Sequence, residues 1–193
     1  MQLLRERIRT DGRVKEGGVL KVDNFLNHAL DPKLLRALAV ELAERFRACG
    51  VTRVLTIEPN AIALATFVAE ELDCTAVFAK KSRNANLKAG VLRAKVHSYT
   101  TGQDSDVLLP ARHLGAKDRV LIVDDFLING SAMNALLELC REAKAEIMGA
   151  GVAIEYANAK GGAWIRSQGV RVEALTTVDR LDVKEGVTFL SRE

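Results

Sequence analysis

Residues 120–132 read VLIVDDFLINGSA, and this stretch decides how the chain is expected to fold. Four apolar residues run directly into Asp124 and Asp125, and a turn around Gly130 then precedes a helix-like run at 133–145. Strands that are apolar at consecutive positions are typical of a parallel sheet that is buried on both faces. The stretch therefore predicts a buried strand, a polar loop and a helix, in that order.

The rest of the chain continues this alternation of strand and helix. Helices are predicted over 1–10, 32–49, 59–73 and 131–145, and strands over 51–58, 74–81, 116–126, 146–156, 170–183 and 186–190. Such an order indicates an α/β fold, in which a parallel twisted sheet is flanked by helices on both faces.

The domain organisation is expected to be simple, because the chain shows no internal repeat and no low-complexity linker. We predict one domain over residues 1–193. Residues 1–32 and parts of 155–193 are predicted to form a smaller cap, which we call the hood. The polar segment 82–110 contains two strand-like pieces around a turn and is predicted to be a mobile flap.

Composition excludes several classes of protein. Among 193 residues, 48% are hydrophobic and 27% are charged, a mix typical of globular domains. No apolar run reaches the roughly 20 residues that a membrane helix needs, and the charged start of the chain is unlike an export signal. A net charge of +3 is too mild to indicate a nucleic-acid surface. We therefore expect neither membrane nor nucleic-acid partners.

Cysteine and histidine usage points to a cytoplasmic protein with no metal cluster of its own. The three cysteines are far apart and form no CxxC pair, which favours free thiols in a reducing compartment. The three histidines are scattered, so no metal ligand set is predicted from side chains.

The adjacent carboxylates of Asp124 and Asp125 stand where open α/β sheets bind ligands, at the carboxyl end of a strand. Two like charges side by side raise each other's pKa. A ribose diol or Mg²⁺ would relieve this repulsion by supplying hydroxyl donors or positive charge. The pair alone is also compatible with an ordinary solvated turn.

The loop that follows has the features of an anion site. Gly130 permits a positive φ and close backbone approach, and the first N–H groups of the next helix have no partner within it. Together with the helix dipole, these groups favour a phosphate. The stretch is neither GxxxxGKS/T nor GxGxxG, which disfavours a triphosphate or dinucleotide site. It is best interpreted as a ribose-phosphate site.

VLIVDDFLINGSA resembles the phosphoribosyl-diphosphate signature of the type I phosphoribosyltransferases. The Asn-Gly-Ser-Ala ending resembles the xanthine branch of this purine phosphoribosyltransferase family. Two further stretches agree, since VLKVDNFLNHALDP (19–32) is similar to the family's purine-covering segment and VLTIEPNAIALA (54–65) to its first strand and pyrophosphate loop. The resemblance extends over nearly the whole chain.

The resemblance implies transfer of phosphoribose from 5-phosphoribosyl 1-diphosphate to N9 of xanthine, giving xanthosine 5′-monophosphate and pyrophosphate. It also implies Mg²⁺, bound mainly through the phosphoribosyl diphosphate, and a homodimer. Asp124 and Asp125 would hold the ribose hydroxyls. The remaining implied contacts are Ile128, Asn129, Gly130, Ser131 and Ala132 to the 5′-phosphate, Pro59, Asn60 and Lys81 to pyrophosphate, and Leu20, Asn27 and Tyr156 to the purine.

Two positions depart from the family pattern. Pro59-Asn60 stands where the family usually carries small residues, and either Glu58–Pro59 or Pro59–Asn60 is a candidate for a cis bond. Tyr156 stands where the family has a lysine that touches an exocyclic oxygen of the purine. A phenol carries no positive charge at neutral pH, so we expect Tyr156 to stack on the base or lie beside it.

Two alternatives to the xanthine enzyme remain open at this stage. The first is a phosphoribosyltransferase for guanine, hypoxanthine or adenine. The second is a regulator without catalysis that senses phosphoribosyl diphosphate. Such regulators carry a DNA-binding domain before the phosphoribosyltransferase-like part, which here begins by about residue 19.

Overall fold

The computed structural model describes residues 1–82, 89–98 and 103–190. Strands are β1 (Arg13–Lys15), β2 (Val19–Lys21), β3 (Arg53–Ile57), β4 (Thr75–Ser82), β5 (Val91–Ser98), β6 (Gln103–Pro110), β7 (Arg119–Leu127), β8 (Glu146–Tyr156), β9 (Val172–Asp182) and β10 (Gly186–Phe189). Helices are α1 (Gln2–Asp11), α2 (Pro32–Phe46), α3 (Ile62–Glu71), α4 (Ser131–Glu142) and α5 (Lys160–Ser167). No helix in the described ranges is long and apolar enough to cross a membrane.

The main sheet has the strand order β10-β9-β8-β7-β3-β4-β6-β5. Its centre, from β9 to β4, is parallel, which confirms the predicted α/β sheet. Both edges are antiparallel, which the sequence pattern did not predict. The β9–β10 and β5–β6 pairs join strands that are consecutive along the chain, because short connections join only antiparallel neighbours and a parallel crossover needs a dozen residues or more. Strand β6 returns beside β4 after β5.

Strand β7 shows why an uninterrupted apolar run is required at the centre of the sheet. Leu121 and Val123 belong to the apolar cluster that includes α2 and α3. Val120 and Ile122 belong to the cluster on the other face, which includes α4 and Ile165 of α5. Successive side chains of a strand point to opposite faces, so both faces are buried and every residue of the run must be apolar.

Helix α2 begins and ends as its sequence predicts. The Asp31 carboxylate accepts hydrogen bonds from the N–H groups of Lys33 and Leu34, at 3.1 and 3.2 Å. These groups would otherwise lack partners at the helix start. The α-helix ends at Phe46, and one turn of 3₁₀-helix leads to Gly50, whose φ of 61° reverses the chain.

The N-terminal segment lies beside the C-terminal strands. Helix α1 packs against α2, β9 and β10, and the Arg5 Nε group donates to the Thr176 hydroxyl at 2.9 Å. The β1–β2 hairpin follows, and residues Asp23–Asn27 form a single wide helical turn. This arrangement brings residue 20 to the end of β8, where the predicted hood would lie over the sheet.

The segment predicted as a flap is continuous with the sheet. Strands β5 and β6 pair along their whole length, and β6 pairs with β4 from Lys80 to Ser82. A bidentate salt bridge joins β5 to β6, in which Nε and Nη2 of Arg93 donate to the two carboxylate oxygens of Asp106, both at 2.7 Å. Residues 83–88 and 99–102 lie outside the described residues, and the predicted mobility stays a prediction.

Candidate active site

A hollow of about 600 Å³ opens at the carboxyl ends of β3, β4, β7 and β8. This is the edge at which parallel α/β sheets bind ligands. The residues that the sequence predicted for a site and that line this hollow are Leu20, Asn27, Pro59, Asn60, Lys81, Asp124, Asp125, Ile128, Ala132 and Tyr156. Segments that are far apart in sequence therefore meet at one place.

The two aspartates lie inside β7 rather than after it, because β7 continues to Leu127 by pairing with β8. The neighbouring strand β3 pairs with β7 only as far as Leu55 with Ile122. Beyond that point β3 continues to Ile57 paired only with β4, and both Asp124 and Asp125 line the hollow. The separation of β3 from β7 thus makes room for a ligand beside the acidic pair.

The acidic pair is held by short-range hydrogen bonds and has spare acceptor capacity. Each residue is only 7% exposed. The Asp125 N–H donates to Asp124 Oδ1 at 3.0 Å, and the Phe126 N–H donates to Asp125 Oδ1 at 2.9 Å. Asp125 Oδ2 is buried and has no hydrogen-bond partner in the described structure. Buried acceptors without partners are costly, so this atom calls for a donor.

Burial is the main reason that the pKa of Asp124 is raised well above the usual value, and the adjacent Asp125 carboxylate raises it further. The positive charge of Lys81 acts in the opposite direction. Additional positive charge or hydroxyl donors would favour the ionised pair in the same way. Among the described residues there is no cluster of three or more metal-ligating side chains. The pair therefore fits a diol, or a metal that is held mainly by another molecule.

The loop after β7 positions the start of α4. Gly130 has a φ of 80°, and α4 begins at Ser131. Asn129 Oδ1 accepts the Ser131 N–H at 3.1 Å. This N–H is therefore already bound, although the sequence predicts that the N–H groups of the first turn are available to a ligand. Ile128 and Ala132 line the hollow, whereas Asn129, Gly130 and Ser131 form the backbone turn behind them.

A support beneath this loop was not predicted from sequence. The Gly161 N–H donates to the Ile128 carbonyl at 3.0 Å, and a Cβ on Gly161 would lie 2.5 Å from the Gly130 nitrogen. Helix α5 thus touches the loop backbone directly. Both carboxylate oxygens of Glu155 accept from the Arg166 guanidinium, one of them at 2.8 Å. This contact fixes α5 to β8, and the Gly-Gly pair in NAKGGAW was the available signal.

The opposite wall of the hollow is formed by the turn after β3. The cis peptide bond is Glu58–Pro59, one of the two candidates named from sequence. The Glu58 N–H donates to the Ala79 carbonyl at 3.0 Å, and Glu58 Oε1 accepts the Lys81 N–H at 3.1 Å. Glu58, which sequence reasoning missed, thereby holds Lys81 beside Pro59 and Asn60.

Leu20, Asn27 and Tyr156 meet at the end of the hollow nearest the N-terminal segment. The Leu20 N–H donates to the Tyr156 hydroxyl oxygen at 3.2 Å. The Phe126 ring lies edge-on to the Tyr156 ring, with centroids 6.0 Å apart and planes at 78°. Asn27 Oδ1 is buried without a hydrogen-bond partner in the described structure. This end therefore offers aromatic walls and unused polar atoms to a flat ring.

A larger hollow of about 770 Å³ lies on β4 and β6 and includes Phe78, Val91 and Leu109. None of the described residues that line it carries a carboxylate. Size alone would favour this hollow, but specificity in a ligand site comes from a few convergent polar groups. We therefore assign the site to the hollow that contains the acidic pair.

Comparison with known proteins identifies the class. Residues 21–185 match the family described as phosphoribosyl transferase domain. The chain belongs to the phosphoribosyltransferase family, which confirms the resemblance seen in the sequence. It is also 42% identical over 193 residues to xanthine phosphoribosyltransferases from Bacillus cereus (strain AH187) and Bacillus anthracis, covering all of this chain and 98% of each relative.

Solved structures give the same fold. The crystal structure of adenine phosphoribosyltransferase from Rhodothermus marinus DSM 4252 matches with a TM-score of 0.72 and 21% identity, over 92% of this chain and 99% of that one. The Giardia lamblia APRTase complexed with 9-deazaadenine matches with a TM-score of 0.75 and 22% identity, over 90% and 97%. At this identity the likeness concerns the fold alone.

Proposed function

We propose that the chain is a purine salvage enzyme, which transfers phosphoribose from 5-phosphoribosyl 1-diphosphate to N9 of xanthine. The products are xanthosine 5′-monophosphate and pyrophosphate. The observation that carries this proposal is the hollow itself, which is lined by the acidic pair, by Ile128 and Ala132 at the start of α4, and by Leu20, Asn27 and Tyr156. The 42% identity to xanthine phosphoribosyltransferases along the whole chain supports the choice of base.

The acidic pair is proposed to hold the ribose. Asp125 Oδ2 is a buried acceptor without a partner, and a ribose diol presents two O–H donors. The anionic pair also favours the positive charge that develops on the sugar as the bond to pyrophosphate breaks, because such charge–charge terms are strong in a buried site. Asp124 and Asp125 would thus act on both substrate binding and rate.

The phosphate groups are proposed to occupy the two sides of the hollow. The start of α4, with Ile128 and Ala132 facing the hollow, would bind the 5′-phosphate through backbone N–H groups and the helix dipole. Asn129, Gly130 and Ser131 would complete this turn. Pro59, Asn60 and Lys81 would face the pyrophosphate from the opposite wall.

Transfer then requires positioning more than a nucleophilic side chain. The bond from the anomeric carbon to pyrophosphate breaks, and pyrophosphate leaves with the bonding electrons. The N9 lone pair forms the new bond, and the N9 proton is released. The walls of the hollow hold the two reactants in line, which replaces a bimolecular encounter with an oriented one.

Mg²⁺ is proposed as the cofactor, as is general in this family, and it would neutralise charge on the departing pyrophosphate. Among the described residues, the carboxylates that line the hollow are those of Asp124, Asp125 and Glu58, and they do not form a cluster of three or more metal-ligating side chains. This donor set fits a cation that is bound mainly through the phosphoribosyl diphosphate, with the acidic pair touching it directly or through water.

At the other end, Leu20, Asn27 and Tyr156 are proposed to bind the purine. Asn27 Oδ1 lacks a partner and can accept a ring N–H of the base. We further propose a cytoplasmic homodimer that acts on small molecules, with neither nucleic acid nor membrane as partner. The three cysteines are unbonded in the structure, as expected in a reducing compartment.

The test is a comparison of turnover with xanthine, guanine, hypoxanthine and adenine, each with phosphoribosyl diphosphate and Mg²⁺. We expect the highest kcat/KM with xanthine and a loss of at least about a hundredfold in Asp124→Asn plus Asp125→Asn. Activity on adenine alone would refute the proposed base. An inactive wild type that shifts DNA in a gel assay would support the regulator instead.

A further inference from the structure

Tyr156 is the last residue of β8 and faces the base end of the hollow. We propose that Tyr156 determines base specificity. Its hydroxyl group holds the N-terminal hairpin by accepting a hydrogen bond from Leu20, and it donates a hydrogen bond to an exocyclic oxygen of the bound purine. The inference rests on the proposed function and deepens it by assigning the chemistry of one contact.

The hydrogen-bond inventory of the phenol supports this dual role. A tyrosine hydroxyl has one donor hydrogen and can accept hydrogen bonds. The Leu20 N–H, at 3.2 Å, uses its capacity as an acceptor. The Tyr156 hydroxyl donates no hydrogen bond to the part of the protein that the structure describes. The hydrogen can therefore rotate toward an acceptor on a ligand in the hollow.

The position of the phenol is fixed on two sides. The Phe126 ring packs edge-on against it, and the Leu20 backbone binds its oxygen. Because burial raises the pKa of Tyr156, the group stays neutral at physiological pH. A neutral, oriented donor is thus built into the wall that faces the base.

This chemistry discriminates among purines. An oxo group of the purine accepts a hydrogen bond from the Tyr156 hydroxyl. An amino group at the same place is itself a hydrogen-bond donor, so two donors face each other and one hydrogen is left without an acceptor. Unpaired polar groups in a binding site are the main source of such discrimination. Asn27 Oδ1, also without a partner, adds an acceptor for a ring N–H. The pair of groups is complementary to an oxopurine.

The absence of charge on Tyr156 has a second consequence. Xanthine loses a proton near physiological pH more readily than other purines. A neutral phenol gives the resulting anion no compensating positive charge, so the KM for xanthine should rise as the pH increases through the titration of the base. A lysine at position 156 would instead attract the anion and flatten this rise.

The experiment compares Tyr156→Phe with the wild type at varied xanthine and varied phosphoribosyl diphosphate. We expect the KM for xanthine to rise about tenfold, as for the loss of one hydrogen bond, and the KM for phosphoribosyl diphosphate to stay within about twofold. The control Thr176→Val also removes a hydroxyl from a contact of the N-terminal segment, with Arg5, but away from the hollow. It should leave both KM values unchanged.

A second variant, Tyr156→Lys, should flatten the dependence of the KM for xanthine on pH. The inference is overturned if Tyr156→Phe leaves the KM for xanthine unchanged, if it raises both KM values equally, or if Thr176→Val has the same effect. A wild type that acts on no oxopurine would overturn the proposed function itself, so the two failures are distinguishable.

Discussion

Replacement of Gly161 by alanine tests whether α5 positions the loop that is proposed to bind phosphate. A Cβ at this position would lie 2.4 Å from the Ile128 carbonyl oxygen, 2.5 Å from the Gly130 nitrogen and 2.6 Å from the Asn129 carbonyl carbon. All three atoms belong to the backbone of the loop. No side-chain rotation can relieve this contact, so the loop and α5 must move apart.

The backbone displacement that Gly161→Ala requires determines how large the losses of activity and stability should be. Ordinary contact begins at 3.4 Å, so the backbones must separate by about 1 Å, and a misplacement of that size can cost roughly a hundredfold in activity. Overpacking of this kind costs about 1–3 kcal/mol of stability. For a chain of this length that corresponds to a fall in Tm of roughly 2–12 °C.

The assay measures initial rates at varied phosphoribosyl diphosphate and varied xanthine, together with thermal unfolding. We expect the KM for phosphoribosyl diphosphate in Gly161→Ala to rise about ten- to a hundredfold, and the KM for xanthine to change much less. Gly115→Ala is the matched control, because a Cβ there has nothing within 4 Å. A folded Gly161→Ala protein with an unchanged KM for phosphoribosyl diphosphate would refute the positioning argument.

Four further substitutions have defined outcomes. Asp124 has a raised pKa in the folded state, so its contribution to stability is present below the unfolded pKa and is lost as the pH rises through the folded pKa. Asp124→Asn should therefore raise Tm at pH 7–8, with a smaller gain near about pH 4. A lower Tm at neutral pH would contradict this reasoning. Asp182, whose pKa is lowered by backbone N–H groups, has the opposite sign, and Asp182→Asn should lower Tm at neutral pH. Glu155→Gln weakens the ion pair between Glu155 and Arg166 that fixes α5. A thermal melt should show a loss of about 1–2 kcal/mol in the free energy of unfolding, a value already reduced for solvent screening of the exposed arginine. The KM for phosphoribosyl diphosphate should also rise, and a change in Tm alone would show that α5 does not position the loop. Glu58→Ala removes the acceptor of the Lys81 N–H and should raise the KM for phosphoribosyl diphosphate about threefold to tenfold, an outcome that an unchanged KM would exclude.

Much of the fold follows from patterns in neighbouring residues. The apolar run at 120–123 predicts a strand with both faces buried, and the structure places alternate residues of that run in two separate apolar clusters. Asp31 before Pro32 predicts a helix start, and the Asp31 side chain binds the first N–H groups of α2. Such features are local, because a few backbone angles and nearby side chains determine them.

Contacts between distant segments were not readable in the same way. The sequence drew attention to Tyr156, but its bond to Leu20 spans 136 positions. The Gly-Gly pair that contains Gly161 is a visible signal, but nothing in the sequence places it under the loop after β7, where the Gly161 N–H binds the Ile128 carbonyl. Glu155, which holds α5 through Arg166, carries no local signal. The direction of the edge strands was likewise decided by hairpin connections that the apolar pattern does not encode.

The sequence by itself determined the parallel α/β centre, the acidic pair, the glycine turn and membership of the phosphoribosyltransferase family. Only the tertiary structure decided that the pairing of β3 with β7 stops before the aspartates, that α5 supports the loop and that the phenol of Tyr156 meets the backbone of Leu20. The physical reason is the separation along the chain over which each effect acts. Periodicity and turn chemistry act over a few residues, whereas the packing of helices and strands brings together atoms whose separation along the chain leaves no pattern.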